Sequence, residues 1–206
     1  AISRAKDELA GPEKYLELAE KMGVTATDPD SIEAAEKALE VARVYSVYQN
    51  RLEKDNLLDY GDLIAKSARL MTDFPEVRQL VQAEYQHILV DEYQDVNRAS
   101  AIFLKELAGS GEGLWVVGDV RQSIYRFRGA APHNMRAFAD DFPGGRILPL
   151  RKNYRSQLVI LKVFDCLAPK MLAARGAEFK GWENASKDEG GDARLENADN
   201  PEAEGK

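Results

Sequence analysis

The chain predicts an α/β fold in which a parallel sheet is flanked by helices and preceded by a helical module. Three observations carry this. Two short β-rich runs, His87–Val90 and Leu114–Val117, are followed at once by Asp91-Glu92 and by Gly118-Asp119. Helical patterns lie between and after them, and strands alternating with helices imply parallel pairing through crossovers. The first 58 residues, by contrast, are helical in pattern throughout.

Pro12 followed by Tyr15, Leu16, Leu18 and Ala19 predicts a helix ending near Gly23. Asp30 or Ser31 can cap a long helix whose apolar residues, from Ala34 through Val41, Val44, Tyr45 and Tyr48 to Leu52, recur at three and four. Further helices are expected over 60–71 and 75–86, the latter with Pro75 at a favourable first position. After the first strand comes a helical pattern over 99–107, and after the second another over 132–142. Arg146–Leu150 is a weaker third strand, and 157–174 a last helix. Cys166, inside that apolar stretch, is expected as a small core residue.

Composition narrows the function. Of 206 residues, 44% are hydrophobic and 31% charged, as in an ordinary globular protein. The apolar runs are far short of the ~20 residues a membrane helix needs, so no membrane partner is expected. One cysteine excludes an internal disulfide framework and a cysteine-based zinc site, and the expected setting is cytoplasmic. Two histidines, His87 and His133, leave little for a histidine metal cluster, and neither is given a role. Net charge is −7, yet residues 119–155 hold eight basic side chains, seven of them arginine, against three acidic. Guanidinium forks match phosphate oxygens, so acidity overall does not exclude a nucleic-acid or nucleotide partner. Residues 183–206 run the other way, eight acidic against three basic, with Leu195 as the one large apolar side chain. Such a segment is expected to pack poorly.

In a parallel sheet, ligands bind beyond the carboxyl ends of the strands, where Asp91-Glu92 and Gly118-Asp119 fall. In HILVDEYQD, residues 87–95, a carboxylate at the strand end can hold hydrated Mg²⁺, which favours one or two carboxylates plus phosphate oxygens. Its neighbour can orient or deprotonate a water. The competing reading is that Asp-Glu merely ends a strand.

VDEYQD resembles motif II, the Walker B element, of the UvrD/Rep-type superfamily 1 DNA helicases. VGDVRQSIYRFRGA, residues 117–130, resembles their motif III, LRKNYRS, residues 150–156, their motif IV, and LDYGDLI, residues 58–64, the element that precedes motif II. The opening ISRAKDEL is similar to their helical insertion. The resemblance implies a partial RecA-like (P-loop NTPase) domain over 59–180, part of the insertion domain over 1–58, and an acidic tail over 181–206. It implies ATP and Mg²⁺ as cofactors and single-stranded DNA and DNA junctions as partners.

By the same resemblance Asp91 and Glu92 bind Mg²⁺, and Glu92 is the general base for the attacking water. Gln122 and Arg155 act on the γ-phosphate, Tyr154 stacks on adenine, and Gln94 and Asp95 are further polar members of the nucleotide site. Tyr125, Arg126 and Phe127 interleave flat faces with a cation, which suits a single strand; the alternative is that one of these rings is core. Arg128 braces the loop toward the ATP site.

Three positions depart from the family pattern. Phe127 stands where most relatives carry tryptophan, Val120-Arg121 where an acidic pair is common, and Gly61 where many carry aspartate. No GxxxxGK[ST] occurs in the sequence, and the later motifs of a second RecA-like domain are also missing. The expectation is therefore a central piece of an ATP-dependent helicase acting in repair or recombination, inactive by itself. The alternatives are a DNA-binding or interaction module without ATPase chemistry, and the helicase subunit of a helicase–nuclease complex.

Overall fold

The structure is a computed structural model and describes residues 1–123, 132–171 and 181–185. The chain forms two compact units, Ala1–Gly145 and Arg146–Lys206.

The first unit begins with α1 (Ile2–Asp7), α2 (Pro12–Thr25) and α3 (Pro29–Lys54). Pro12 opens α2, which passes through Gly23 and ends two residues later. The cap of α3 is neither Asp30 nor Ser31. Pro29 takes the first helical position, which makes Asp28 the cap. Asp28 and Ser31 complete a capping box: the Ser31 N–H donates to Asp28 Oδ1 at 3.0 Å and the Asp28 N–H to Ser31 Oγ at 3.1 Å. α2 and α3 pack together, and Ala19, Ala35, Ala42 and Tyr45 are buried. Tyr45 meets the edge of Tyr15 and donates to the Ala10 carbonyl at 3.2 Å.

α4 (Tyr60–Asp73) buries Asp62, Ala65, Ala68 and Met71, a stripe at spacing three, and packs on α1 and α6 (Arg98–Ala108). α5 (Pro75–Glu84) follows after a single residue. β1 (Ile88–Val90) and β2 (Leu114–Val116) pair in parallel, Ile88 with Leu114, Leu89 with Trp115 and Val90 with Val116. α6 is the crossover between them, as a parallel pair requires. Gly113, at φ +79°, makes the entry to β2; a Cβ there would collide with the Gln86 carbonyl oxygen. α7 (Pro132–Asp141) sets Phe138 against Tyr93 at 5.7 Å between ring centroids. α1 belongs with this α/β part: it packs on α4 and α6. Among the described residues no helix is long and apolar enough to cross a membrane.

In the second unit the expected strand over 146–150 is irregular and exposed. A strand exists only where a ladder partner does, and Pro149 has no N–H to offer one. Pairing begins two residues later, where β3 (Lys152–Asn153) lies parallel to β4 (Glu183–Asn184). The first residues of the acidic tail are thus held in a ladder; 186–206 lie outside the described residues. α8 (Leu158–Leu167) stops short of the expected 174, passing into a 3-10 turn over Ala168–Lys170 that contains Pro169. Cys166 is exposed rather than core. α8 is apolar around most of its circumference, and burial falls on Leu161, one turn and a half away from Cys166.

Candidate functional site

β1 delivers Asp91 and Glu92 to the carboxyl end of the parallel pair, and both are exposed. The Glu92 N–H donates to Asp91 Oδ1 at 2.9 Å. Glu92 is in the left-handed region, φ 51°, ψ 42°, which a non-glycine residue adopts at a cost. That turn reverses the side chains. Glu92 faces out, while Tyr93 and Gln94, in the short 3-10 turn Tyr93–Asp95, are buried. Backbone bonds knit the strand ends: the Val117 N–H donates to Val90 O at 2.8 Å and the Tyr93 N–H to Val117 O at 2.9 Å.

Gln94, 1% exposed, lies between the two strand ends. Its Nε2 donates to Glu92 Oε2 at 2.5 Å, and its Oε1 accepts the Asp119 N–H at 2.9 Å. Ser123, also buried, donates to the Gln94 carbonyl at 3.3 Å. The sequence places Asp119 after the second strand but assigns it no role, yet it organises the loop after β2. Its Oδ1 accepts from the Arg121 N–H at 3.0 Å and from Arg121 Nη1 at 3.4 Å, and its Oδ2 accepts from Gln122 Nε2 at 3.3 Å. Gln122 is exposed on the same side chain's tether. Burial, and then the charge of Asp141, pushes the Tyr93 phenol above its ordinary 10.0.

The structure therefore brings Asp91, Glu92, Gln94 and Gln122 into one neighbourhood, with Gln94 turned inward. Asp95 is half-buried, and its Oδ1 accepts no hydrogen bond among the described residues. Two solvent-facing carboxylates at a strand end suit a hydrated Mg²⁺, which keeps several waters and takes few protein ligands. Among the described residues no group of three or more His, Cys, Asp and Glu is placed to hold a metal ion, so the protein's share of the ligands would be these two carboxylates at most.

Tyr154 and Arg155 sit in the second unit on an exposed turn. Asn153 Oδ1 shapes it, accepting the Arg155 N–H at 2.9 Å and the Ser156 N–H at 2.8 Å. Tyr154 is 72% exposed, so it is not a core tyrosine, and Lys152 Nζ lies 5.5 Å from its ring centroid. Tyr125, Arg126, Phe127 and Arg128 lie outside the described residues.

A second ionic cluster was not anticipated. Lys6 of α1, 3% exposed, places Nζ 2.8 Å from Asp59 Oδ2 and 3.0 Å from Asp62 Oδ2, with the Tyr48 ring 5.4 Å away. Asp59 is at once the cap of α4, accepting the Asp62 N–H at 2.8 Å, and the acceptor of the Tyr48 hydroxyl at 2.9 Å. Burial opposes the charge on Lys6, but its bonds to Asp59 and Asp62 outweigh this and hold it above the ordinary 10.5. Burial likewise raises Asp59, and Lys6, the Asp62 N–H and Tyr48 together bring it below the usual 3.8. Gly61 is explained here: a Cβ would stand 2.9 Å from Lys6 Cδ and 3.1 Å from its Cβ. Next to Lys6, Asp7 Oδ1 accepts from Asn97 Nδ2 at 2.7 Å, while Asn97 Oδ1 caps α6 through the Ser100 N–H at 2.8 Å. The run Asn97-Arg98-Ala99-Ser100 was the available signal for that cap.

Comparison with known proteins gives a consistent result. The family described as UvrD/REP helicase N-terminal domain matches residues 1–143. The ATP-dependent DNA helicase UvrD1 of Mycobacterium tuberculosis is 38% identical over 192 residues, 90% of this chain and 23% of that protein. The ATP-dependent DNA helicase PcrA of Bacillus subtilis is 40% identical over 161 residues, 78% of this chain and 20% of the relative. PcrA of Staphylococcus aureus is 45% identical over 121 residues, 59% of this chain and 17% of the relative. The chain thus spans less than a quarter of the length of these relatives.

Proposed function

The chain belongs to the UvrD/REP helicase family, and we propose that it forms the central portion of an ATP-dependent DNA helicase that couples hydrolysis to movement on single-stranded DNA. The observation that supports this most is the pair of exposed carboxylates at the carboxyl end of a parallel β–α–β unit, bonded through Gln94 to the loop that carries Gln122. In this reading residues 1–58 are insertion-domain helices, 59–180 a partial RecA-like domain and 181–206 an acidic tail.

Asp91 and Glu92 are the residues that hold Mg²⁺ in this reading. The ion, when bound, neutralises charge on the phosphate oxygens. Glu92 orients the attacking water and takes its proton, which its exposure allows. Gln122 offers a neutral amide that can donate to one oxygen and accept from a water. Tyr154 supplies an exposed flat face for adenine, and Arg155 a guanidinium for charge that spreads over the γ-phosphate in the transition state. Tyr125, Arg126 and Phe127 are proposed as the strand-holding residues.

The test is single-stranded-DNA-stimulated ATP hydrolysis and strand separation by the full-length gene product, with Glu92→Gln as its control. Hydrolysis that falls steeply in the variant while nucleotide binding persists supports the reading. DNA binding with no hydrolysis in the wild type would instead favour a binding module.

A further inference from the structure

We infer that Gln94 is a positioning residue for Glu92: a buried amide lock that fixes the carboxylate at the end of β1 to the loop after β2. The inference rests on the reading of Glu92 as the base. The family pattern suggested a place for Gln94 against nucleotide, but its side chain faces the interior and both of its ends are used by the protein itself. Nε2 donates to Glu92 Oε2 at 2.5 Å, and Oε1 accepts the Asp119 N–H at 2.9 Å.

The chemistry of the position is specific. One end of the side chain must donate to a carboxylate and the other must accept from a backbone N–H. Among side chains of this length, only a neutral amide does both. Glutamate keeps the acceptor and turns the donor into a second negative charge beside Glu92. Methionine fills the same volume and makes neither bond. The space around the amide is shaped for it as well. A Cβ at Gly118 would lie 2.7 Å from Gln94 Oε1 and 3.2 Å from the backbone nitrogens of Tyr93 and Gln94, so residue 118 must lack a side chain for the lock to close. Exposed carboxylates ordinarily sample several rotamers, and a base that wanders loses the orientation on which its rate depends. Gln94 removes that freedom at Glu92. It does so from a point that also holds Asp119, whose Oδ2 tethers Gln122. The two polar groups proposed to face the attacking water are thereby referred to a single buried amide.

The experiment uses the full-length gene product with Gln94→Met and Gln94→Glu, and with Glu92→Gln as reference. Two readouts are taken: the separate kcat and KM for ATP, and amide hydrogen exchange at Asp119, Tyr93 and Val117, which needs no nucleotide. Gln94→Met is expected to lower kcat about ten- to a hundredfold, with KM held within about twofold. It should deprotect the Asp119 amide while Tyr93 and Val117, bonded across the strand ends, stay protected. Gln94→Glu should lower kcat comparably and leave Asp119 protected, which separates the hold on Glu92 from any general loosening. Added to Glu92→Gln, Gln94→Glu, which keeps the acceptor for the Asp119 N–H and so the tether of Gln122, should cost nothing more. Wild-type kcat in both Gln94 variants, alongside an inactive Glu92→Gln, overturns the inference; so does a further loss in the double variant. Full turnover in Glu92→Gln strikes the reading of Glu92 as the base instead, and the lock then stands or falls on the Asp119 amide.

Discussion

Asp59 and Asp62 stand at the start of a helix, Asp91 and Glu92 at the end of a strand, and one folded unit uses the two pairs in opposite ways. The first pair is gathered around the buried ammonium of Lys6, roofed by Tyr48 and tied into the first turn of α4. The second pair is left facing solvent, and among the described residues no lysine or arginine lies within ion-pair distance of it. What touches the second pair is a backbone N–H and a neutral amide. The lesson is one of electrostatic allocation. A carboxylate already paired with a cation has committed its charge to holding helices together, whereas one held by neutral donors keeps its charge for a ligand while its position is still fixed.

The largest effect that separates the two clusters is expected from Glu92→Gln in the full-length protein. ATP hydrolysis should fall by roughly 10²–10⁴, the usual contribution of a general base, with an unchanged thermal midpoint. A variant that lost stability along with activity would place Glu92 with the structural pair. Next comes Lys6→Met, which strands two carboxylates around an apolar side chain. Breaking a buried pair from one side costs about 3 kcal/mol or more, to be read from urea denaturation. Adding Asp59→Asn and Asp62→Asn to it should recover part of that loss, because asparagine still caps and the stranded charges are gone. A triple variant no more stable than Lys6→Met would mean that packing, not charge, holds α1 to α4.

Smaller is the expected cost of Asn97→Ala, about 1–2 kcal/mol, since it loses both the cap of α6 and the bond to Asp7. Unchanged unfolding would show that α1 grips the α/β part through Lys6 alone. Smallest is the pH effect. Asp59 is held below 3.8, so its contribution is present above that value and is lost as pH falls through the depressed folded value. Lys6 is held above 10.5, so its contribution is intact below 10.5 and is lost as pH rises through the raised value. Thermal midpoints should therefore decline below about pH 4 in the wild type and decline less in Lys6→Met.

The parts of the fold that were legible in the sequence are those governed by near neighbours. Pro12 and Pro75 mark helix starts because a proline suits the first turn, and ILV and LWV mark strands because they are short, branched or aromatic and bounded by acidic turns. What was not legible depends on distant partners. Lys6 meets Asp59 across 53 residues, and nothing around Lys6 announces that it will be buried. Residues 146–150 have strand composition but no neighbouring strand among the described residues. Gln94 shares a motif with Asp91 and Glu92, yet the left-handed turn at Glu92 sends it inward. Motif II predicted which residues would gather; only the backbone dihedral decided which of them would face the solvent.

Leu89 and Trp115 form the middle pair of the parallel ladder and are 82% and 61% exposed on its outward face. This gives the molecule an optical property. One of its two tryptophans stands in water on the very sheet whose strand ends carry the candidate site. With Trp182 replaced by phenylalanine, the remaining indole emission should be long in wavelength and open to collisional quenching by iodide. Any layer that closes over that face should shift it to the blue and shield it, so the fluorescence of Trp115 reads whether the sheet is bare or covered.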